Sequence, residues 1–324
     1  MKRLLKNILL LFFIIVLAGF AVIVWTACIE PNLLITKNVN LSIQNWHKEH
    51  NNFKIAVISD LHIGSLDINL NKVKQIVELT NKNHPDIIFI LGDYDAKAIY
   101  NSNIRQKDLI KALKGFKAPY GVASVLGNHD FKPDKVRGML NKTDIIVLEN
   151  KYIRITKNHK IFYVVGLKDL WHYRPNVKNV VNKVKNKNNP VILLSHNPDV
   201  FPDVPDKVSL TLAGHNHGGQ VYVPFLGGLF LPSVYGQRFV KGYIAENNKN
   251  LYVTSGIGNV GPGRFGNIPE IVFITLNKSD SINKQILNTP PKKGINFSLI
   301  NAYIKLKNST FWKHYFVPVY NAFR

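Results

Sequence analysis

The chain opens with an uncharged apolar run from Asn7 to Cys28, densest between Ile8 and Trp25, with Lys2, Arg3 and Lys6 ahead of it. A hydrocarbon core is roughly 30 Å thick and takes about 20 helical residues to cross, whereas the apolar part of a cleavable signal is usually about 7–15 residues. The run therefore predicts a retained single-pass helix. A cleaved signal peptide and lipid attachment through Cys28 are the competing readings. Positive charge on the N-terminal side predicts that everything after Cys28 faces away from the cytoplasm, which places the chain in the cytoplasmic (inner) membrane with an extracytoplasmic domain.

After a connecting segment with room for one strand, the pattern changes. Phe53 to Ile58 is a short apolar run ending in polar residues, as a buried strand would be. Leu70, Val73, Ile76, Val77 and Thr80 recur at helical spacing and predict a helix over 69–84, closed by Pro85, with the next strand over 86–91. The alternation continues with helices over 104–114 and 133–140 and strands over 122–126, 145–148 and 161–165. Beyond these come a helix over 177–187 and strands over 191–194, 208–213, 221–223, 242–245, 251–254 and 271–276. An alternating α/β half followed by a β-rich half predicts one α/β domain. The organisation is an anchor (1–28), a connecting segment (29–52), a catalytic domain (53–277) and a basic, aromatic tail (278–324). In that tail Phe297, Ile300 and Ile304 share one helical face, suited either to a membrane interface or to packing back on the domain.

Composition adds two constraints. The net charge of +22 is spread along the chain, as in Asn182 to Asn189, so a solvated basic surface is as good an account as attraction of anionic partners. The single cysteine lies beside the apolar run and excludes an intrachain disulfide framework and a thiolate zinc site. Metal chemistry must then rest on His, Asp and Asn.

Those residues fall where an open α/β sheet places its ligands, at the C-terminal ends of strands. Asp60-Leu61-His62 follows the strand at 53–58. Gly92-Asp93 follows the second strand, and a carboxylate has two oxygens that can bridge two cations. Gly127-Asn128-His129-Asp130 follows the third and offers a neutral amide oxygen. His196 follows the strand at 191–194, and Gly214-His215-Asn216-His217-Gly218-Gly219-Gln220 follows the strand at 208–213, with glycines that let backbone approach an ion. Any one of these histidines alone is an ordinary surface or core residue. Five blocks in one order are not.

In that order the blocks resemble the calcineurin-like metallophosphoesterase superfamily. Ile29-Glu30-Pro31 and the Gly-Gly-Gln after His217 are similar to its membrane-associated bacterial phosphodiesterase branch. The resemblance implies a four-layer α/β/β/α sandwich preceded by one transmembrane helix. It also implies one metal held by Asp60, His62, Asp93 and His217, and a second held by Asp93, Asn128, His196 and His215. His129 would stand over the leaving oxygen with Asp130 orienting it. Relatives often carry another acid three residues after the bridging aspartate, where this chain has Ala96.

Two cations about 3.5–4 Å apart clamp an in-line displacement and lower the pKa of bound water toward about 7, so a bridging hydroxide would attack phosphorus. Mixed nitrogen and oxygen donors favour Mn²⁺, Fe or Zn²⁺ over Mg²⁺, which prefers oxygen and water, and two Mn²⁺ ions are the expectation, with Fe, Zn²⁺ and Mg²⁺ as alternatives. Arg264 and Gln220 are the candidate substrate contacts. The expected activity is metal-dependent phosphoester hydrolysis, by a phosphodiesterase or pyrophosphatase acting on a lipid or lipid-linked phosphate. Known members of the resembling branch include enzymes of the lipid A precursor UDP-2,3-diacylglucosamine, which is in tension with an outward orientation. A nuclease or nucleotidase, or a non-catalytic tethered lipid-binding or scaffold protein, is the alternative. Without an aromatic-interleaved basic motif, nucleic acid is not the expected partner.

Overall fold

The computed structural model describes residues 1–95, 104–130, 132–186, 188–229, 231–261 and 263–279. Ala96, Pro262 and the tail from Asp280 onward, with its apolar face, lie outside the described residues.

Two six-stranded sheets form the domain. The first runs Ile35–Ile43, Glu270–Lys278, Phe53–Ile58, Ile87–Ile90, Val122–Ser124, Ile145–Val147. Its strands are parallel except where Glu270–Lys278 meets Phe53–Ile58. The second runs Gly242–Glu246, Lys249–Val253, Leu210–Ala213, Val191–Leu194, Lys160–Gly166, Lys151–Lys157, with antiparallel hairpins at both edges.

Alternation along the strands sorts side chains into layers, because successive residues point to opposite faces. Ile55, Val57, Phe89 and Leu91 join Ile192, Leu194, Leu210 and Leu212 in the core between the sheets. Ala56, Ile58, Ile88 and Ile90 point outward against the helices Leu70–Lys82, Gln106–Leu113 and Pro133–Leu140. On the far side Val191, Leu193 and Val253 pack on Val177, Val180 and Phe201. The layers are therefore α/β/β/α, as expected.

Helix ends follow local chemistry. The Asn69 side chain accepts a hydrogen bond from Lys72 N at 3.0 Å and caps Leu70–Lys82, whose buried face is Val73, Ile76, Val77 and Thr80. The helix expected over 177–187 stops at Val181, where Asn and Lys replace the apolar repeat and asparagine is a weak helix former. The strand Lys151–Lys157 escapes sequence reading because it is an edge strand, with only Ile155 buried.

The N-terminal helix Lys2–Val24 is 23 residues long with none buried. At 1.5 Å per residue it is about 34 Å long, and it is apolar enough to cross a membrane. A π-helical turn, Trp25–Ile29, and a 3-10 turn, Glu30–Asn32, carry the chain onto the domain.

Candidate metal centre and active site

Each ligand candidate leaves its strand where parallel pairing is still being enforced. Leu91 N donates to Ile58 O (2.8 Å), Asp60 N to Gly92 O (3.0 Å), and His62 N to Asp93 O (2.9 Å), so the first two strand ends stay zipped through the turn. Five candidates hold left-handed backbone: Asp60 (φ 55°), His62 (43°), Asp93 (54°), His215 (70°) and His217 (46°). Such conformations cost about 1–3 kcal/mol each and survive where surroundings over-determine them, typically at functional sites.

Glycines make the room. A Cβ on Gly214 would come within 2.6 Å of Asp60 Oδ2, one on Gly256 within 2.8 Å of the same oxygen, and one on Gly92 within 2.5 Å of Gly127 N.

All seven expected ligands converge, and all are buried. In one half, Asp60, His62, Asp93 and His217 present ligand atoms within 4.8 Å of one another. His62 Nε2 stands 3.3 Å from His217 Nε2, and His217 Nε2 3.5 Å from Asp60 Oδ1. In the other half, His196 Nε2 lies 3.0 Å from Asn128 Oδ1, 3.2 Å from His215 Nδ1 and 3.3 Å from Asp93 Oδ2. Asp93 belongs to both halves, since its Oδ2 is also 3.6 Å from His62 Nε2.

These residues fit a pair of cations. Asp93 Oδ1 accepts from His129 N at 2.8 Å, but Oδ2 is buried with no hydrogen-bond partner, a costly state for a carboxylate oxygen unless a cation satisfies it. Three rings turn their outer nitrogen to a backbone carbonyl: His196 Nδ1 to Leu91 O (2.7 Å), His215 Nε2 to Pro232 O (3.2 Å) and His217 Nδ1 to Gly258 O (3.1 Å). Donating there leaves the lone pair of the inner nitrogen facing the cluster. Burial pushes His62 down to about 3, and burial with the Arg264 charge does the same to His217. Burial and His196 hold His215 well below the usual range. Neutral imidazole is the metal-binding form. At His196 burial is outweighed by the Asp93 carboxylate, which pushes the ring up to about 10.

His129 sits at the rim, half-buried, its ring edge-on to His62 at 5.1 Å between centroids. Asp130, the next residue, is buried in the same turn. Its two oxygens accept from the backbone N–H groups of Asp93, Tyr94, Asp95 and Gly127, tying the second and third strand ends together. Burial and the neighbouring Asp93 charge push it up to about 7.

The two candidate substrate contacts are committed to protein. Arg264 is fully buried and donates to Asn259 Oδ1 (2.7 Å), Ser255 O (2.9 Å), Asn267 O (3.2 Å) and Gly258 O (2.6 Å), the carbonyl that also receives His217. Gln220 pairs with Val260 through both amide ends, at 2.6 and 3.1 Å. Both brace the 256–267 loop behind His217.

Sequence reading gave Glu30 no role at the site, yet it is 2% exposed and its carboxylate accepts from Gly266 N (3.0 Å), Asn267 N and Trp25 Nε1 (2.6 Å). Asn267 Nδ2 in turn donates to His217 O. The segment leaving the apolar helix thus reaches a ligand through two residues. The usable signal was the acid between Ile29 and Pro31, an unlikely place for a charge unless it has partners. A cavity of about 530 Å³ opens beside it, lined by Trp25, Lys37, Lys241, Phe265 and Glu270 among others, and no ligand candidate lines it.

A four-layer sandwich that gathers Asp, Asn and His at its strand ends, around a shared carboxylate, is built for metal-dependent phosphoester hydrolysis. The chain belongs to the calcineurin-like phosphoesterase family, whose model matches residues 53–219. A metallophosphoesterase of Caenorhabditis elegans is 31% identical over 83% of this chain, which spans 56% of that protein's length. The Escherichia coli phosphodiesterase YaeI is 29% identical over 69% of this chain and 82% of its own. The UDP-2,3-diacylglucosamine pyrophosphatase LpxG of Chlamydia trachomatis is 25% identical over 78% of this chain and 92% of its own.

Proposed function

We propose that this chain is a membrane-anchored hydrolase of phosphodiesters or pyrophosphates whose substrate is a lipid or lipid-linked phosphate. The observation that carries the hydrolase reading is the convergence of two groups of buried His, Asp and Asn side chains on Asp93, whose Oδ2 has no hydrogen-bond partner. Asp60, His62, Asp93 and His217 would hold one divalent ion, and Asp93, Asn128, His196 and His215 the other, with Mn²⁺ the expected pair. When bound, two such ions supply Lewis acidity and a water acidic enough to serve as nucleophile.

The chain's own residues do the rest. Buried Asp60 and Asp93 supply the negative charge that offsets the cations, and the carbonyl-anchored histidines fix the ligand directions before substrate arrives. His129, at the rim, is placed to donate a proton or a charged hydrogen bond to the departing oxygen, a role usually worth about 10²–10⁴ in rate. No serine, threonine or cysteine nucleophile is required.

The lipid side of the reading rests on the N-terminal helix, on the YaeI and LpxG relatives, and on the hydrogen bonds that fasten the turn after that helix to the loop behind His217. Lys2, Arg3 and Lys6 support an orientation with the domain outside the cytoplasm. The test is turnover by the full chain with added Mn²⁺ on bis-para-nitrophenyl phosphate, UDP-diacylglucosamine, a phospholipid panel and single-stranded oligonucleotides, with Asp93→Asn alongside. Hydrolysis of a lipid phosphate that falls about 10³-fold or more in the variant supports the reading. Preference for oligonucleotides, or metal bound without turnover on any of them, refutes it.

A further inference from the structure

Single exposed apolar side chains are ordinary on a folded protein. Here four of them cluster on three loops that all spring from the His62 and His217 half of the site. Leu66 tops the turn closed by Gly64 N to Ile68 O (2.9 Å), just after His62, and is fully exposed. Phe225 (96% exposed) and Leu226 form the tip of the hairpin that joins Tyr222–Val223 to Gly227–Gly228, a few residues after His217. Val260 stands on the loop whose Gly258 carbonyl receives His217. The loops are fastened together, since Asn259 Nδ2 donates to Asp67 Oδ2 (2.5 Å), Gln220 clasps Val260, and Tyr222 N donates to Phe265 O (2.7 Å).

The loop that follows Val260 also grips the end of the apolar helix. Arg264 N donates to Thr26 O (3.0 Å) and Gly266 N to Glu30, while Lys72 Nζ, on the helix Leu70–Lys82, donates to Asn32 O (2.7 Å). Segment 263–266 therefore has the helix end on one side and Tyr222 on the other. With neighbouring chains about 4.8 Å apart, the hairpin strand runs roughly 10 Å from the helix end. A tight turn closed by Leu226 N to Val223 O (3.1 Å) sets Phe225 and Leu226 at its tip.

We infer that Leu66, Phe225, Leu226 and Val260 form a bilayer-docking surface. It sits beside the anchor and holds the mouth of the metal site against the lipid headgroups. The occupant is the bilayer rather than another protein, because the helix that ends on these loops is long and apolar enough to cross it. Apolar side chains at an interface settle about 5–10 Å deep, at the boundary of headgroups and acyl chains. A substrate drawn from the membrane would then meet His129 and the ligand cluster without leaving the interface. The inference rests on the membrane reading of Lys2–Val24.

The experiment uses the full chain with its lone cysteine removed (Cys28→Ser), reconstituted into vesicles of phosphatidylcholine and phosphatidylglycerol. Single cysteines are placed as Leu66→Cys, Phe225→Cys, Ile15→Cys in the helix, and His159→Cys on the turn at the opposite ends of the strands. Each carries a polarity-sensitive fluorophore, and only chains with the parent melting midpoint are compared. Labels at 66 and 225 should lose about half or more of their fluorescence to a nitroxide on the phospholipid and resist aqueous iodide, while the label at 159 does the reverse. Labels at 66 and 225 that behave like 159, with 15 shielded by lipid, overturn the docking surface and leave the anchor intact. A label at 15 open to iodide overturns both. Loss of turnover without any change in these depths would fall on the hydrolase reading alone.

Discussion

Glu30→Ala tests whether the segment beyond the N-terminal apolar helix is part of the catalytic structure. The carboxylate is buried and holds two backbone N–H groups, of Gly266 and Asn267, besides the indole of Trp25. Removing it strands the two backbone donors at about 1–3 kcal/mol each, or roughly 2–5 kcal/mol together after partial rehydration. The loop they belong to carries Arg264 and Asn267, which brace His217 through Gly258 O and His217 O. Loosening it lowers the fraction of chains with His217 in its binding position, and apparent affinity falls by that fraction. Groups that orient metal ligands typically contribute about 10–100-fold in affinity. Mn²⁺ titration of the full chain, by calorimetry or chelator competition, should therefore show one site weakened about tenfold or more. The Asn128 and His196 site should change less. Glu30→Gln should recover little, because its amide N–H₂ would face donors. Wild-type affinity at both sites in Glu30→Ala would refute the coupling, whatever the melting midpoint did.

Other expectations follow from the same geometry. His129→Ala should retain its metals but lose about 10²–10⁴ in kcat on substrates with poor leaving groups, and much less on para-nitrophenyl esters, whose departing oxygen needs no proton. Gly214→Ala would drive a Cβ to within 2.6 Å of Asp60 Oδ2; metal content by elemental analysis should fall while circular dichroism stays unchanged. For pH, burial holds His50 below the ordinary histidine value. The unfolded chain therefore takes up its proton first, so this contribution is present above about pH 6.5 and is lost as pH falls below it. Denaturation of His50→Gln beside the parent between pH 7.5 and 5 should show the parent losing stability more steeply; parallel curves would contradict the assignment.

Much of the site was legible in the sequence. Asp60, His62, Asp93, Asn128, His196, His215 and His217 follow short, continuous apolar runs of the kind that marks buried strands. In a parallel sheet the C-terminal strand ends fall together by topology, so order along the chain became proximity in space. Ile55 and Val57 face one way and Ala56 and Ile58 the other, all of them apolar, as a sheet buried on both faces requires, and the α/β/β/α layering agrees with what the family resemblance implied.

What depended on the tertiary structure are the contacts that no local period encodes. Ile35–Ile43 pairs with Glu270–Lys278 across most of the chain, and Glu30 reaches Gly266 across 236 residues. Arg264 and Gln220 look like surface groups in a glycine-rich loop, so they were natural guesses for substrate contacts. Folding buries Arg264 and turns both toward backbone carbonyls and amides left unpaired by the irregular loop. A sequence records which groups need partners, because buried polar atoms must be satisfied. Which partner each receives is decided only when distant segments are brought together, and here that choice joined the end of the apolar helix to the metal cluster.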